Sequence, residues 1–139
     1  GRIDSRVMAK LTPCPCGSSK VFEDCCELYI VGGIAAPTAE ALMRSRYTAY
    51  TLRHEDYLLA TWHASSRPAQ LGLADEVAGE MPAKWLGLEV KKFELQDTTH
   101  ATVEFVARYK VGGRAHRLHE LSNFVRENGK WFYVDGHID

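Results

Sequence analysis

The sequence predicts an α+β fold with a small cysteine-rich lobe ahead of the main domain, and three observations carry that expectation. All four cysteines, Cys14, Cys16, Cys25 and Cys26, are packed into one short stretch near the start. Residues 38–52 space their apolar side chains with the period of a helix. From Leu86 onward the texture becomes that of strands, broken by Gly112-Gly113 and Asn128-Gly129, both favoured in two-residue hairpins. A chain of 139 residues has room for one compact domain and an appendage.

Cys14 and Cys16 bracket Pro15, and Gly17 follows where the backbone must turn. The segment from Gly17 to Asp24 then gives enough slack to bring Cys25 and Cys26 back to the same point. Four thiolates so placed saturate one tetrahedral ion, of which Zn²⁺ is the ordinary occupant. No coordination position would remain for water, so such a site is structural and its metal supplies the folding energy of the lobe. The competing readings are disulfides and free thiols. Neighbouring Cys25 and Cys26 could bridge each other only with strain, and a redox pair would need a CxxC spacing.

Lys and Arg number 17 against 18 Asp and Glu, a net charge of −1. With the two signs mixed along the chain, non-specific nucleic-acid binding is not expected, since it requires a concentrated basic patch. No apolar run approaches a membrane span. A cytoplasmic protein with reduced thiols is the expectation. Residues 1–7, Gly1-Arg2-Ile3-Asp4-Ser5-Arg6-Val7, read as a cloning remnant ahead of a natural start at Met8.

The lobe is expected over 8–33, ending at Gly32-Gly33, and the main domain over 38–139. Thr38 caps the first long helix, whose stripe holds Ala39, Leu42, Met43, Tyr47 and Tyr50. Arg46 falls in the middle of that stripe, whereas Arg44 lies off it. An arginine so placed is paired inside, snorkels outward or faces a ligand. A second helix is expected over 54–62, presenting Tyr57, Leu58, Thr61 and Trp62, with His63 at its end. Residues 66–84 read as short helical turns. Strands are expected at 86–96, 101–111, 114–127 and 130–136.

The two hairpin turns set the registers. Glu127 should oppose Lys130, Phe124 oppose Tyr133, and Ser122 oppose Asp135. Likewise Val111 should oppose Arg114, Phe105 oppose Glu120, and Val103 oppose Ser122. One face then carries Val103, Phe105, Ala107, Tyr109, Leu118, Phe124, Trp131 and Tyr133, and the helices should pack there. It also carries Glu120, Ser122 and Asp135. Buried carboxylates must be paired, protonated or solvated in a cavity, so Arg46 is expected to pair with Glu120 or Asp135.

The stretches Cys14-Pro15-Cys16-Gly17-Ser18 to Cys25-Cys26, Leu42 to Tyr50 with Thr61-Trp62-His63, and Glu120 to Phe124 with Gly129 to Gly136 resemble the YchJ-like family. The cysteine stretch is similar to the SEC-C motif, although Ser19 stands where glycine is usual and Glu23-Asp24 where lysines are. The remainder is similar to NTF2-like domains, which implies a cone with helices held in a curved antiparallel sheet. Two functions follow from the resemblance. In one, the zinc lobe is an adaptor that docks on a protein partner, with Phe22, Tyr29 and Ile30 as contacts. In the other, the cone binds a small molecule or acts as an isomerase or dehydratase. The catalytic candidates are then His63, Glu120 and Asp135 as base and Arg46 or Tyr47 as oxyanion stabiliser. The expected pocket comprises Arg46, Tyr47, Tyr50, Trp62, Phe105, Glu120, Ser122, Phe124, Tyr133 and Asp135. The reverse sheet face, with Val106, Leu121, Val125, Phe132 and Val134, offers an apolar patch for a homodimer.

Overall fold

The computed structural model describes residues 13–69 and 84–138. The expected remnant at 1–7, the start of the lobe at 8–12 and most of the expected turns at 66–84 lie outside the described residues. A 3₁₀ turn at Phe22–Asp24 leads into α1 (Cys26–Ile30), followed by α2 (Ala39–Leu52) and α3 (Glu55–Ala60). Four strands complete the chain: β1 (Lys84–Asp97), β2 (His100–Val111), β3 (Arg114–Glu127) and β4 (Lys130–Ile138).

The Thr38 hydroxyl accepts the Ala41 N–H at 3.0 Å and so starts α2. The helix ends at Arg53, whose φ of 56° is left-handed. The second helix is shorter than the sequence suggests. Its chain leaves helical geometry at Thr61 to pair with β4: His63 donates to the Tyr133 carbonyl at 2.7 Å, and Tyr133 donates to the Thr61 carbonyl at 2.8 Å. Those main-chain bonds replace the ones another helical turn would have made.

The strands form one antiparallel sheet in the order β1-β2-β3-β4. Positive φ at Gly112, Gly113, Asn128 and Gly129 closes the two predicted hairpins. β1 and β4 are edges, so the sheet stays open, and the cone implied by the resemblance is not what this topology gives. Pairing of β2 with β3 runs from Val111 opposite Arg114 through Phe105 opposite Glu120 to Val103 opposite Ser122, as expected. Between β3 and β4 the register holds from Glu127–Lys130 to Phe124–Tyr133 and then shifts. Beyond that irregularity Asn123 opposes Asp135 and Ser122 opposes Gly136. The expected pairing of Ser122 with Asp135 is therefore wrong. One additional residue on β4, Val134, moves Asp135 to the reverse face, because side chains alternate with a period of two.

α2 packs on the face bearing Ala101, Val103, Phe105, Ala107, Ser122 and Phe124, all buried. The helix is buried well beyond its predicted stripe: Ser45, Thr48 and Ala49 are interior too. The sheet covers one side of α2, while the cysteine lobe and α3 cover the others. Ser45, for example, shares a 2.7 Å hydrogen bond with the Tyr57 hydroxyl of α3.

Candidate metal centre and cavity

The four cysteine sulfurs lie within 4.8 Å of one another. Cys16 and Cys25 Sγ are 3.6 Å apart, and Cys25 and Cys26 Sγ 3.9 Å. Sulfurs held tetrahedrally at about 2.3 Å from one zinc ion would be about 3.8 Å apart, whereas a disulfide needs about 2.05 Å. None of the four is in a disulfide. The loop that gathers them is fixed by local bonds, with Cys14 N–H donating to Lys20 at 2.9 Å and Gly17 N–H to Cys14 at 3.1 Å. Gly17 adopts a φ of 75°, and a β-carbon there would come within 3.1 Å of the Leu88 carbonyl oxygen, so glycine is needed twice over.

α2 anchors the cluster from the other side. Thr48 donates to Cys26 Sγ at 3.3 Å, and Arg44 donates to the Cys16 carbonyl at 2.8 Å while pairing with Glu40 at 3.0 Å. Cys14, Cys16 and Cys26 are buried and Cys25 is half-buried. Hydrogen bonds among the cysteines, followed by burial, push the Cys16 and Cys26 thiols up, while hydrogen bonds from Cys16 and Cys26 hold Cys14 down against its burial. The cluster therefore cannot carry four thiolates without a cation to compensate them. A four-thiolate, closed, buried donor set fits a metal of structural type.

A cavity of about 150 Å³ lies on the opposite side of α2, against the sheet. Arg46, Tyr47, Tyr50, Phe105, Glu120, Ser122, Phe124 and Tyr133 line it together with Met43, Trp85, Ala107 and Leu118. Of the expected pocket residues, Trp62 and Asp135 are not in its wall. Trp85 is in the wall although the expected pocket does not include it. β1 begins earlier than its apolar run suggests, which places Trp85 opposite Tyr109 and 5.6 Å from Tyr47 in an edge-on contact.

Glu120 is the polar centre of the cavity. Its Oε2 accepts the Ser122 hydroxyl at 2.7 Å and the Tyr133 hydroxyl at 3.4 Å. That carboxylate lies where a β-carbon at position 136 would be, so Gly136 is what leaves it room. Among the described residues, Glu120 Oε1 accepts no hydrogen bond.

Arg46 is 4% exposed yet forms no ion pair with Glu120 or Asp135, contrary to expectation. Its Nη1 donates instead to the Leu58 carbonyl and the Thr61 hydroxyl, both at 2.7 Å. The guanidinium carbon sits 4.5 Å from the Tyr133 ring centroid and 5.1 Å from that of Trp62. The end of α3 supplies acceptors closer than either carboxylate, which explains the change of partner. Burial lowers the Arg46 pKa, opposed by Tyr50, Tyr133, Tyr57 and Glu120. Burial also raises Tyr50 and Tyr133, with Glu120 adding to both, so the two phenols stay protonated.

The remaining candidates lie elsewhere. Trp62 stands beneath Arg46, edge-on to Tyr133 at 5.0 Å. Exposed Asp135 accepts from Asn123 at 2.7 Å on the reverse face. His63 bonds Glu127 at 2.8 Å and Ser65 at 2.7 Å. His63 and Asp135 border a separate surface groove. The catalytic candidates thus fall into two places, Arg46 and Tyr47 with Glu120, and His63 with Asp135.

On the lobe, Ile30 is buried, and Phe22 and Tyr29 pack against the core, so these expected contact residues are largely spent on folding. Leu28, Val31 and Ile34 are exposed instead. The reverse-face patch is also smaller than expected, because Val106 is fully buried and Val125, Phe132 and Val134 are half-buried. Among the described residues, no helix is long and apolar enough to cross a membrane.

Comparisons with known proteins agree with this architecture. Residues 38–136 match the family described as YchJ, middle NTF2-like domain, and residues 12–28 match the SEC-C motif. The UPF0225 protein of Bordetella pertussis is 53% identical over 127 residues, covering 90% of this chain and 92% of that one. That of Cupriavidus metallidurans is 54% identical over 132 residues, covering 91% and 89%. The solution structure of a SEC-C motif containing protein from Rhodopseudomonas palustris superposes with a TM-score of 0.78 at 34% identity, covering 89% of this chain and 96% of that one. A crystal structure of a SEC-C motif containing protein from Psychrobacter arcticus gives 0.77 at 28% identity, covering 95% and 85%. With a four-cysteine cluster ahead of a helix-on-sheet domain, and relatives matching along nearly its whole length, the chain belongs to the YchJ (UPF0225) family.

Proposed function

We propose that this protein binds a small molecule in the cavity between α2 and the sheet, and that Zn²⁺ held by Cys14, Cys16, Cys25 and Cys26 is structural. The observation that carries the reading is the unused Oε1 of Glu120 in a largely apolar concavity. A few convergent polar groups in an apolar concavity are how small ligands are oriented. A closed four-sulfur site, by contrast, offers a substrate no coordination position. Reduced thiols suit a cytoplasmic setting.

The same groups suit proton transfer of the isomerase or dehydratase type. Glu120 would take the proton, while Tyr50, kept protonated, would donate to charge developing on a ligand oxygen near Arg46. Filling the cavity tests the binding reading. Ala107→Leu places bulk in the cavity from the sheet side and should abolish the small aromatic hits that a ligand-observed NMR screen finds on the zinc-loaded chain. Hits that survive this substitution bind elsewhere and would refute the proposal.

A second reading, an adaptor, has its own support in the exposed Leu28, Val31 and Ile34 beside the metal cluster. Under that reading, Leu28→Glu with Val31→Glu removes partner capture while zinc content stays at one equivalent. Capture that persists in the double variant would argue against it.

A further inference from the structure

We infer that the ligand of the cavity is a neutral, flat ring compound presenting a hydrogen-bond donor and an acceptor side by side, as a primary amide or a lactam does. This inference rests on the binding reading and specifies its chemistry. The first ground is charge. The cavity wall contains one cation, Arg46, and one carboxylate, Glu120, and no ion pair cancels them directly. A ligand anion is drawn by the first and repelled by the second, and a ligand cation meets the reverse. Either would also lose hydration on entering without a dedicated counter-ion. A neutral ligand avoids both costs.

The second ground is the pattern of groups left unused. Oε2 of Glu120 is occupied by Ser122 and Tyr133, which leaves Oε1 as an acceptor. Nη1 of Arg46 is occupied by Leu58 and Thr61. Tyr50, one turn beyond Arg46 on α2, lines the same cavity. Among the described residues its hydroxyl finds no acceptor, which leaves the O–H free to donate. Glu120 Oε1 as an acceptor and the Tyr50 hydroxyl as a donor thus line the same space. An amide edge satisfies both, its N–H bonding Glu120 and its carbonyl oxygen accepting from Tyr50. Sites built to bond a polar group reject analogues lacking it, because their own groups are then left unpaired.

Size and shape complete the description. A cavity of about 150 Å³ accommodates a single small ring, as engineered apolar cavities of that volume do. Trp85, Tyr47 and Phe105 contribute aromatic walls, which favour a planar aromatic body.

The test is a matched series titrated into the zinc-loaded full chain: benzamide, benzoate, benzamidine and toluene, followed by the Trp85 side-chain NMR signals. Benzamide should bind about tenfold or more tightly than each of the other three. Tyr50→Phe should remove about tenfold of that affinity. Glu120→Gln should shift the preference toward benzoate, because the Arg46 charge is then unopposed. Benzoate or benzamidine binding as tightly as benzamide, or toluene matching it, would overturn the inference while leaving the binding reading intact. If none of the four moves Trp85, the binding reading and the inference fail together.

Discussion

The metal cluster and the cavity occupy two sides of one helix and are finished to different degrees. Arg44 and Thr48 of α2 face the cysteines, while Met43, Arg46, Tyr47 and Tyr50 face the cavity. In the cluster every sulfur is turned toward the others, so a single ion completes the site. In the cavity the polar groups satisfy one another only in part, leaving Glu120 Oε1 and the Tyr50 hydroxyl. A saturated arrangement suits a scaffold, and an unsaturated one suits recognition.

The strongest way to break this contrast is to remove the metal ligands. Cys26→Ser should release the zinc and collapse the lobe, since structural zinc contributes on the order of 10 kcal/mol to folding small metal domains. Elemental analysis should find less than one equivalent, and NMR should lose dispersion for residues 13–30 before that of the sheet. A lobe that keeps its signals without metal would contradict the structural role.

Next in size is Arg46→Ala, which leaves the Leu58 carbonyl and the Thr61 hydroxyl without their donor and opens a void between Trp62 and Tyr133. A loss of about 3 kcal/mol is expected in denaturant unfolding. A loss below about 1 kcal/mol would mean that the guanidinium serves the ligand alone.

A smaller effect sharpens the α2–α3 contact. Tyr57→Phe deletes the bond to Ser45 and should cost about 1 kcal/mol at neutral pH. Burial, partly offset by the Ser45 bond, raises the Tyr57 pKa to about 12, and burial likewise raises that of Tyr47 to about 12. A folded-state pKa above the unfolded value of about 10 keeps its stabilisation below pH 10 and loses it as pH climbs toward 12. Alkaline unfolding should therefore begin in that window, with a shallower slope in the Tyr57→Phe protein. An unchanged slope would exclude Tyr57 from the transition.

Smallest in stability is Gly136→Ala. Its β-carbon displaces only the end of a flexible side chain, so the expected cost is about 1 kcal/mol or less, but Glu120 must leave Ser122. Benzamide affinity should fall far more than stability does, and proportionate losses would contradict the role given to Glu120.

How much of this was legible in the sequence depended on how local the determining signal was. The cluster was legible because all four ligands lie in one short segment with a turn glycine. The hairpins were legible because Gly112-Gly113 and Asn128-Gly129 specify their geometry nearly alone. The β4 irregularity was missed because Val134 is an ordinary strand residue. Its consequence was to place Asp135 on the wrong face and so to offer Arg46 a false partner. The neighbouring Gly136 was the available signal, since a glycine inside a strand marks a bulge or a close approach. Of the actual partners of Arg46, the Leu58 main-chain carbonyl carries no residue signature at all, and Thr61 is one hydroxyl among many. Nor did the periodicity of α2 reveal Thr48 and Ser45 as buried, because the elements covering them come from the lobe and from α3.

The most direct test of the account is one titration of the ¹⁵N-labelled, zinc-loaded chain with benzamide, followed by amide chemical shifts. Saturable movement centred on Met43, Tyr50, Phe105 and Ser122, with Cys16 and Cys25 unmoved, is the predicted result. Movement centred on the cysteine lobe, or none in the cavity at millimolar benzamide, would contradict it.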